Sequence, residues 1–286
     1  MAPTRASIAD KRRAFQQLHI AGCFVLPNPW DVGSARWLQG LGFKALASTS
    51  AGFAWAMGRP DNAITLTMAL EHLHAMVEAT DVPLNADFEN GFAADAATLA
   101  THVRLAVETG VAGLSIEDST GLTARPLFSI DEAVERMRAA RRAIDLAGGD
   151  TLLVGRAECF LVGRPDLTET IARLKAYADA GADCLYAPGI HTPEQISAVV
   201  QAVAPKPVNL LMSKPAGMTV AQAAALGVRR VSVGGALARA AWGGFMRAAK
   251  MLAESGSFDG FEGAAPGQEL NRFFAAGLPQ PTEARG

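Results

Sequence analysis

The sequence predicts an α/β fold of the (β/α)₈ TIM-barrel type, on three observations. Eight short apolar segments recur along the chain, separated by amphipathic stretches of about 10 to 20 residues, the alternation of a parallel sheet with crossover helices. Glycine recurs at points where a helix hands over to a strand. The 286 residues accommodate one barrel of about 250 residues without a second large domain. Alternation alone would also permit an open doubly wound sheet, but eight strands without an evident break favour closure.

Taken in order, the chain opens on a charged helix carrying Asp10-Lys11-Arg12-Arg13, unlike the apolar core of a signal peptide. Strands are expected at residues 23–26, 45–48, 83–87, 113–117, 152–156, 184–187, 207–211 and 230–233, each short, apolar and often β-branched, as strands buried on both faces should be. Amphipathic helices are expected at 94–109, 130–147, 167–180 and 193–203. Gly42, Gly110, Gly181 and Gly227 each end a helix and introduce a strand, the position of a left-handed C-cap. After the eighth strand, Gly234-Gly235 opens a helix over 236–254, so that residues 1–254 form the barrel domain and 255–286 a tail. The tail holds Phe261, Phe273 and Phe274, which need cover on the barrel or on another subunit, and its last residues, 281–286, are expected to be disordered.

Composition narrows the function classes. A formal net charge of -2 provides no electrostatic reason for nucleic acid or an anionic membrane as partner. No apolar run approaches the roughly 20 residues that span a bilayer. Cys23, Cys159 and Cys184 lie far apart in apolar runs and do not form a disulfide framework, so the protein reads as cytoplasmic.

The chemistry is concentrated where strands end. An apolar run leads into Asn85-Ala86-Asp87-Phe88-Glu89-Asn90-Gly91, and one β/α step later Gly113 to Ile116 leads into Glu117-Asp118. Acids at the buried end of a strand are costly unless something pairs with them. A single such strand would be read as an N-cap for the following helix; two neighbouring ones make an oxygen-rich cup suited to a hard divalent cation. In a barrel the site lies at the C-terminal ends of the strands. Those ends supply Asn28 and Asp31, Ser48 to Ser50 with Gly52, Asp87 and Glu89, Glu117 and Asp118, Arg156 and Glu158, Pro188-Gly189, and Asn209. Arg156 follows Leu152-Leu153-Val154-Gly155 and so meets a buried rim, as a structural counter-ion, an anion clamp, or both.

In order and spacing, Asn28-Pro29-Trp30-Asp31, Ser48-Thr49-Ser50, Gly58-Arg59-Pro60-Asp61, Asp87 to Gly91, Ile116-Glu117-Asp118, Arg156-Ala157-Glu158 and Gly181-Ala182-Asp183 resemble the isocitrate lyase/phosphoenolpyruvate mutase superfamily, over roughly residues 20–245. The resemblance implies a barrel whose last helix is swapped between subunits of a homodimer or homotetramer. It also implies cleavage or rearrangement beside a 2-oxo or 2-hydroxy acid, dependent on Mg²⁺, with Mn²⁺ the alternative ion. By position, Asp87 is the principal metal ligand, with Glu89 and Glu117 acting directly or through water. Ser48, Ser50, Ala51 and Gly52 match the substrate side, the last three as backbone donors to a carboxylate. Asp61 matches an acid near the metal's waters, Arg156 the arginine on the oxo or enolate oxygen, and Asn209 a contact to a distal acid group. Arg156, Asp61 and Glu117 are thus the implied catalytic residues.

The chain departs from that pattern after Glu117. The loop Asp118 to Leu127 lacks the lysine-x-cysteine-glycine-histidine of isocitrate and methylisocitrate lyases, and the proline-lysine and asparagine of phosphonate-processing members. Pro188-Gly189 stands where the lyases have proline-glutamate. Cys159 reads as a buried structural thiol. His72 and His74 fall on different helix faces, and His102 on the outer surface of its helix. His191, Arg125 and Tyr186 are the remaining proton-donor candidates. The leading reading is a carbon–carbon lyase working through an enolate, isocitrate lyase-like or oxaloacetate decarboxylase-like. A phosphonomutase or phosphonopyruvate hydrolase and a non-catalytic oxo-acid-binding protein are the alternatives.

Overall fold

The computed structural model describes residues 5–215 and 217–276; the expected disorder over 281–286 lies outside them. Contacts divide the chain into two compact units, Met1–Leu237 and Ala238–Gly286, so the division falls earlier than the expected 254/255.

The first unit follows the alternation read from the sequence. Helix α1 (Ile8–Leu18) precedes β1 (Phe24–Leu26), α2 (Val32–Gly40), β2 (Leu46–Ala47), α3 (Ser50–Ala56), α4 (Leu66–Ala79), β3 (Leu84–Asp87), α5 (Ala96–Glu108) and β4 (Gly113–Glu117). A hairpin, β5 (Ser119–Leu122) and β6 (Arg125–Leu127), then interrupts the repeat. After it come α6 (Ile130–Leu146), β7 (Leu152–Arg156), α7 (Leu167–Asp179), β8 (Cys184–Tyr186), α8 (Pro193–Val203), β9 (Val208–Leu211), α9 (Val220–Ala225) and β10 (Arg230–Ser232). Eight parallel strands pair in the order β1-β10-β9-β8-β7-β4-β3-β2. The Ala47 N–H donates to Pro27 O at 3.1 Å, bridging the remaining gap, so the sheet is a nearly closed (β/α)₈ barrel.

Alternation along each strand sorts the side chains. Leu84, Leu114, Leu153, Leu185 and Leu210 pack outward against the apolar stripes of the helices, including Leu99, Val103 and Ala106 of α5. The inward positions are smaller or polar. At Gly113 a Cβ would meet the Phe15 ring at 2.7 Å and Asn85 Oδ1 at 2.8 Å, so only glycine lets α1 plug the barrel floor here. The repeated helix-ending glycines all sit at positive φ, from +87° at Gly227 to +104° at Gly181, as the C-cap reading requires.

The charge on α1 has a structural use. Lys11 Nζ donates to the carbonyls of Val77 (2.8 Å) and Thr80 (2.6 Å) at the end of α4. Arg12 donates to Val107 O (2.7 Å) and Val111 O (3.1 Å) at the end of α5. Both cations neutralise the negative ends of helices and satisfy carbonyls that the helices leave unpaired. His19, just after α1, has Nδ1 2.7 Å from Phe15 O and Nε2 3.4 Å from Arg230 Nη1, so Nδ1 donates and Nε2 accepts. Burial, then the Arg230 cation, lowers its pKa to about 3. The unfolded chain therefore takes up a proton near pH 6.5 that the folded chain refuses until about pH 3; stability from this group is full above 6.5 and is lost as pH falls through that window. In a ring-nitrogen NMR titration His19 is expected to stay neutral at pH 5; protonation above pH 5 would contradict this packing.

The second unit comprises α10 (Ala236–Ser255) from Ala238 onward, a 3₁₀ turn at Asp259–Phe261 and α11 (Gly267–Ala275). It exposes large apolar side chains, among them Phe245, Met246, Phe258 and Phe261. No helix among the described residues is long and apolar enough to cross a membrane.

Candidate active site

The third strand and the turn after the second form one hydrogen-bonded unit. Leu84 and Ala86 face the helices, which turns Asn85 and Asp87 into the barrel. Asp87 Oδ2 accepts from Ser50 N (3.0 Å) and Ser50 Oγ (2.9 Å), and its Oδ1 accepts from Arg156 Nη1 (2.9 Å). The Asp87 N–H donates to Ser48 Oγ at 2.8 Å. Thr49 caps α3 by accepting from Gly52 N at 3.2 Å. Ser50, Ala51 and Gly52 thus form the first turn of a short helix, not an open loop, and Ser48 and Ser50 are tied to Asp87.

Arg156 is the hub of the rim. Register places it beside Glu117 on β4 and Tyr186 on β8. Its Nε donates to Glu158 Oε1 at 2.5 Å, and Nη1 reaches Glu117 Oε2 at 3.4 Å as well as Asp87. The guanidinium carbon lies 5.2 Å from the centroid of the Tyr186 ring. Burial opposes the Arg156 charge, but Glu158 and Glu117 outweigh it and hold the pKa well above the usual arginine value. Burial drives Glu117 well above the ordinary carboxylate range, with Arg156 pulling the other way. Glu158, which the sequence places at this rim without assigning it a role, is the closest acid to Arg156.

Glu117 and Asp118 face opposite ways, as neighbours on a strand must. Asp118 turns out to α7, where its Oδ2 accepts from Arg173 Nη1 (3.0 Å) and the Tyr177 hydroxyl (2.6 Å), and its Oδ1 accepts from Glu158 N (2.8 Å). It anchors the Arg156–Glu158 segment from behind. Asp118→Ala takes the acceptor from the buried Tyr177 hydroxyl and from Glu158 N and leaves the buried Arg173 only Glu169 and Phe128 O, and it is expected to lower stability by about 3 kcal/mol. A urea melt measures this; a loss below about 1 kcal/mol would mean that the network is dispensable.

Two further acids complete the cluster. Glu89 is a non-glycine residue at φ +49°, in the left-handed region, and its Oε1 is buried with no hydrogen-bond partner among the described residues. Burial, then repulsion by Asp87 and Asp61, pushes its pKa up to about 8. Asp61, on the exposed segment between α3 and α4, is raised by partial desolvation and by Asp87. Among the described residues, no three His, Cys, Asp or Glu side chains converge on one ion-sized point as they stand. The chemistry of the set nevertheless suits a hard divalent cation. Every donor is oxygen, Asp87, Glu117 and Glu158 contact the guanidinium of Arg156, Asp61 and Glu89 lie within electrostatic reach of it, and Glu89 Oε1 has no hydrogen-bond partner among the described residues.

Other sequence candidates are not gathered here. Asn209 is buried lower in the barrel, where its amide donates to Ser232 Oγ (2.9 Å) and accepts from Arg230 Nε (2.9 Å). His191 is exposed, with Nδ1 3.0 Å from Gly189 O, and Arg125 pairs with Glu132 at 3.0 Å on the surface. His102 is not on the outer surface: it is partly buried, with Nδ1 2.9 Å from Gly91 O, because it flanks the inward stripe of α5. Cys159 is fully buried, as expected. Asp183, part of the ordered motif set, is structural; it accepts from Leu153 N at 2.8 Å and pairs with Arg141 at 3.0 Å. The β5–β6 hairpin, pairing Ser119 with Leu127 and Leu122 with Arg125, is not among the expected elements, and the Ser119-Thr120-Gly121 stretch carries only a weak signal for it.

Among known proteins, the family model for phosphoenolpyruvate phosphomutase matches residues 15–253. A crystal structure of a candidate lyase/mutase from Burkholderia cenocepacia J2315 is 49% identical with a TM-score of 0.92, covering 94% of this chain and 98% of that one. An oxaloacetate decarboxylase of Paraburkholderia xenovorans (strain LB400) is 33% identical over 203 residues, 68% of this chain and 66% of that one. The structure of an oxaloacetate acetylhydrolase in complex with its product oxalate is 28% identical with a TM-score of 0.82, covering 93% and 94% of the two chains. The strand-end acids, the arginine among them and the barrel that carries both therefore have a family: the chain belongs to the phosphoenolpyruvate phosphomutase family of the isocitrate lyase/phosphoenolpyruvate mutase superfamily, as an enzyme of the carbon–carbon lyase type.

Proposed function

We propose that the protein cleaves a carbon–carbon bond beside the functional carbon of a 2-oxo or 2-hydroxy acid through an enolate, with Mg²⁺, or alternatively Mn²⁺, as its cofactor. The observation that carries this reading is Arg156, a buried guanidinium presented at the C-terminal rim among Asp87, Glu117 and Glu158. A metal ion held by Asp87, Glu89 and Glu117 would supply a Lewis acid for the substrate's carboxylate and oxo oxygens. Arg156 Nε and Nη1 are committed to acids, while Nη2 has no hydrogen-bond partner among the described residues and is the donor assigned to the developing enolate oxygen. The Ser50, Ala51 and Gly52 turn, fixed by Thr49 and Asp87, orients the substrate carboxylate, with Ser48 holding the Asp87 backbone in place. Asp61 keeps ordered water at the edge of the cluster. Asn209, committed to Arg230 and Ser232, supports the barrel core below and is given no substrate contact.

An oxaloacetate-like acid requires the fewest additional groups. The carbon–carbon bond breaks, its electron pair passes to the enolate, carbon dioxide departs without needing an acid, and solvent returns a proton to carbon. That suits a rim that lacks a lyase-type thiol. The names of the oxaloacetate decarboxylase and of the oxalate-bound acetylhydrolase support the same substrate class. A phosphonomutase or phosphonopyruvate hydrolase reading is favoured by the name of the matching family, and is opposed by a hairpin without lysine. A panel of 2-oxo, 2-hydroxy and phosphono acids, assayed with Mg²⁺ and with chelator, tests both. We expect metal-dependent pyruvate from oxaloacetate; phosphate or phosphoenolpyruvate from phosphonopyruvate alone would favour the second reading, and no turnover of any acid would sink both.

We also infer a homodimer or homotetramer in which the second unit meets another copy. The exposed Phe245, Met246, Phe258 and Phe261 support this. Light scattering at micromolar concentration should give a mass of at least two chains; a monomer would overturn it. The three free cysteines support a cytoplasmic setting.

A further inference from the structure

Behind the Ser50 turn, on the side of α4, lies a small pocket of about 10 Å³, walled by Thr49, Ser50, Asp87, Phe53, Leu73 and His72. His72 stacks on Phe53, with ring centroids 3.8 Å apart and planes 10° from parallel. Its Nε2 is buried and has no hydrogen-bond partner among the described residues. Burial lowers the His72 pKa to about 4, so at neutral pH the ring carries one N–H and one lone pair. Buried polar atoms in native proteins are almost always satisfied, by ordered water where no protein group reaches them. The pocket volume matches the space of a single water molecule, about 10–15 Å³.

Thr49 and Ser50, which also line the pocket, have hydroxyls with hydrogen-bonding capacity to spare. Thr49 Oγ1 accepts from Gly52 N (3.2 Å) and keeps its own hydroxyl proton to donate. Ser50 Oγ donates to Asp87 Oδ2 (2.9 Å) and keeps lone pairs to accept. With the imidazole nitrogen, these side chains among the lining residues would give a water the two to four partners that hold it in place.

We propose that this pocket binds one ordered water molecule between His72 Nε2 and the Thr49–Ser50 turn, and that His72 is thereby a positioning residue for Ser50 and Asp87. The helix behind that turn is short, and its first residue is held across the site by Asp87. The stacked ring and the bridging water brace it from the rear, so the geometry offered to a metal ion and a substrate carboxylate depends on a residue that touches neither. The positioning half of the proposal rests on the reading of Ser50 and Asp87 given above; the water itself does not.

The test compares wild type with His72→Phe and His72→Gln. Phenylalanine keeps the stack on Phe53 and removes the nitrogen; glutamine returns a polar atom at similar reach. His72→Phe is expected to melt lower than wild type and to bind oxalate with Mg²⁺ about threefold to tenfold more weakly, the size of one hydrogen bond, with His72→Gln close to wild type in both. An unpartnered imidazole predicts the opposite sign, because replacing a buried, unsatisfied nitrogen by carbon removes a desolvation cost. A His72→Phe protein as stable as wild type or more so therefore overturns the water. A lower melting point with unchanged oxalate affinity supports the water and overturns the positioning role. Failure of wild type to bind oxalate with Mg²⁺ would instead count against the enolate reading, while the order of melting points still decides the water.

Discussion

Asp87→Ala is expected to abolish divalent-cation binding and to lower turnover by about a thousandfold, the upper range for removing a group that organises oxyanion stabilisation. Asp87 joins the two halves of the rim: one carboxyl oxygen holds the Ser50 turn and the other holds Arg156. Its loss removes a ligand and releases both partners. The fold should survive, since Arg156 keeps Glu158 at 2.5 Å and Glu117 at 3.4 Å, and β3 keeps its pairing to β4. Titration calorimetry with Mg²⁺ and Mn²⁺, beside a melting curve without metal, separates the two effects. Full metal affinity in the variant would place the ion elsewhere.

Oxalate and Mg²⁺ are expected to stabilise the protein together far more than either alone. Oxalate has the planar, dianionic shape of an enolpyruvate, with two oxygens able to chelate one ion side by side. A site complementary to the high-energy species binds its mimic better than the ground state. By mass action, a hundredfold excess over the dissociation constant adds about 2.7 kcal/mol, or about 5–10 °C in melting temperature for a chain of this size. Arg156→Lys should weaken the joint effect at least about tenfold in affinity, because an ammonium carries its three donors on one atom and cannot span Glu158, Asp87 and the substrate oxygen as the planar fork does. A melting series with oxalate, Mg²⁺, both and neither is the measurement. Simple additivity would mean that the pocket is not built around an enolate.

The chemical alphabet of the rim was legible in the chain. Acids followed apolar strand segments, an arginine followed Leu152 to Gly155, and an ordered set of short motifs pointed to one superfamily, which membership has borne out. That membership also favours an enzyme over a non-catalytic oxo-acid binder. Regular elements were readable because their signals are local. The strands Gly113–Glu117 and Leu152–Arg156 and the helix Pro193–Val203 run as periodicity places them. Glycine at each helix end was equally plain, since only a left-handed residue without a side chain ends those helices cheaply.

Direction and partnership were not local. Glu117 and Asp118 look alike in sequence, yet one meets Arg156 and the other Arg173, because barrel register decides which side of a strand faces the axis. Asn209 ends low in the barrel because Arg230 enters from the neighbouring strand and needs acceptors there. The charged run of α1 gave no sign of its partners, since the carbonyls that Lys11 and Arg12 meet belong to two helix ends far away in the chain. Sequence by itself determined the alternation, the strand-end chemistry and the family, each written in neighbouring residues. Only the tertiary structure decided which acids share Arg156 and that His72 stacks on Phe53 with Nε2 buried, because those depend on atoms that folding brings within about 4 Å of one another across long stretches of chain.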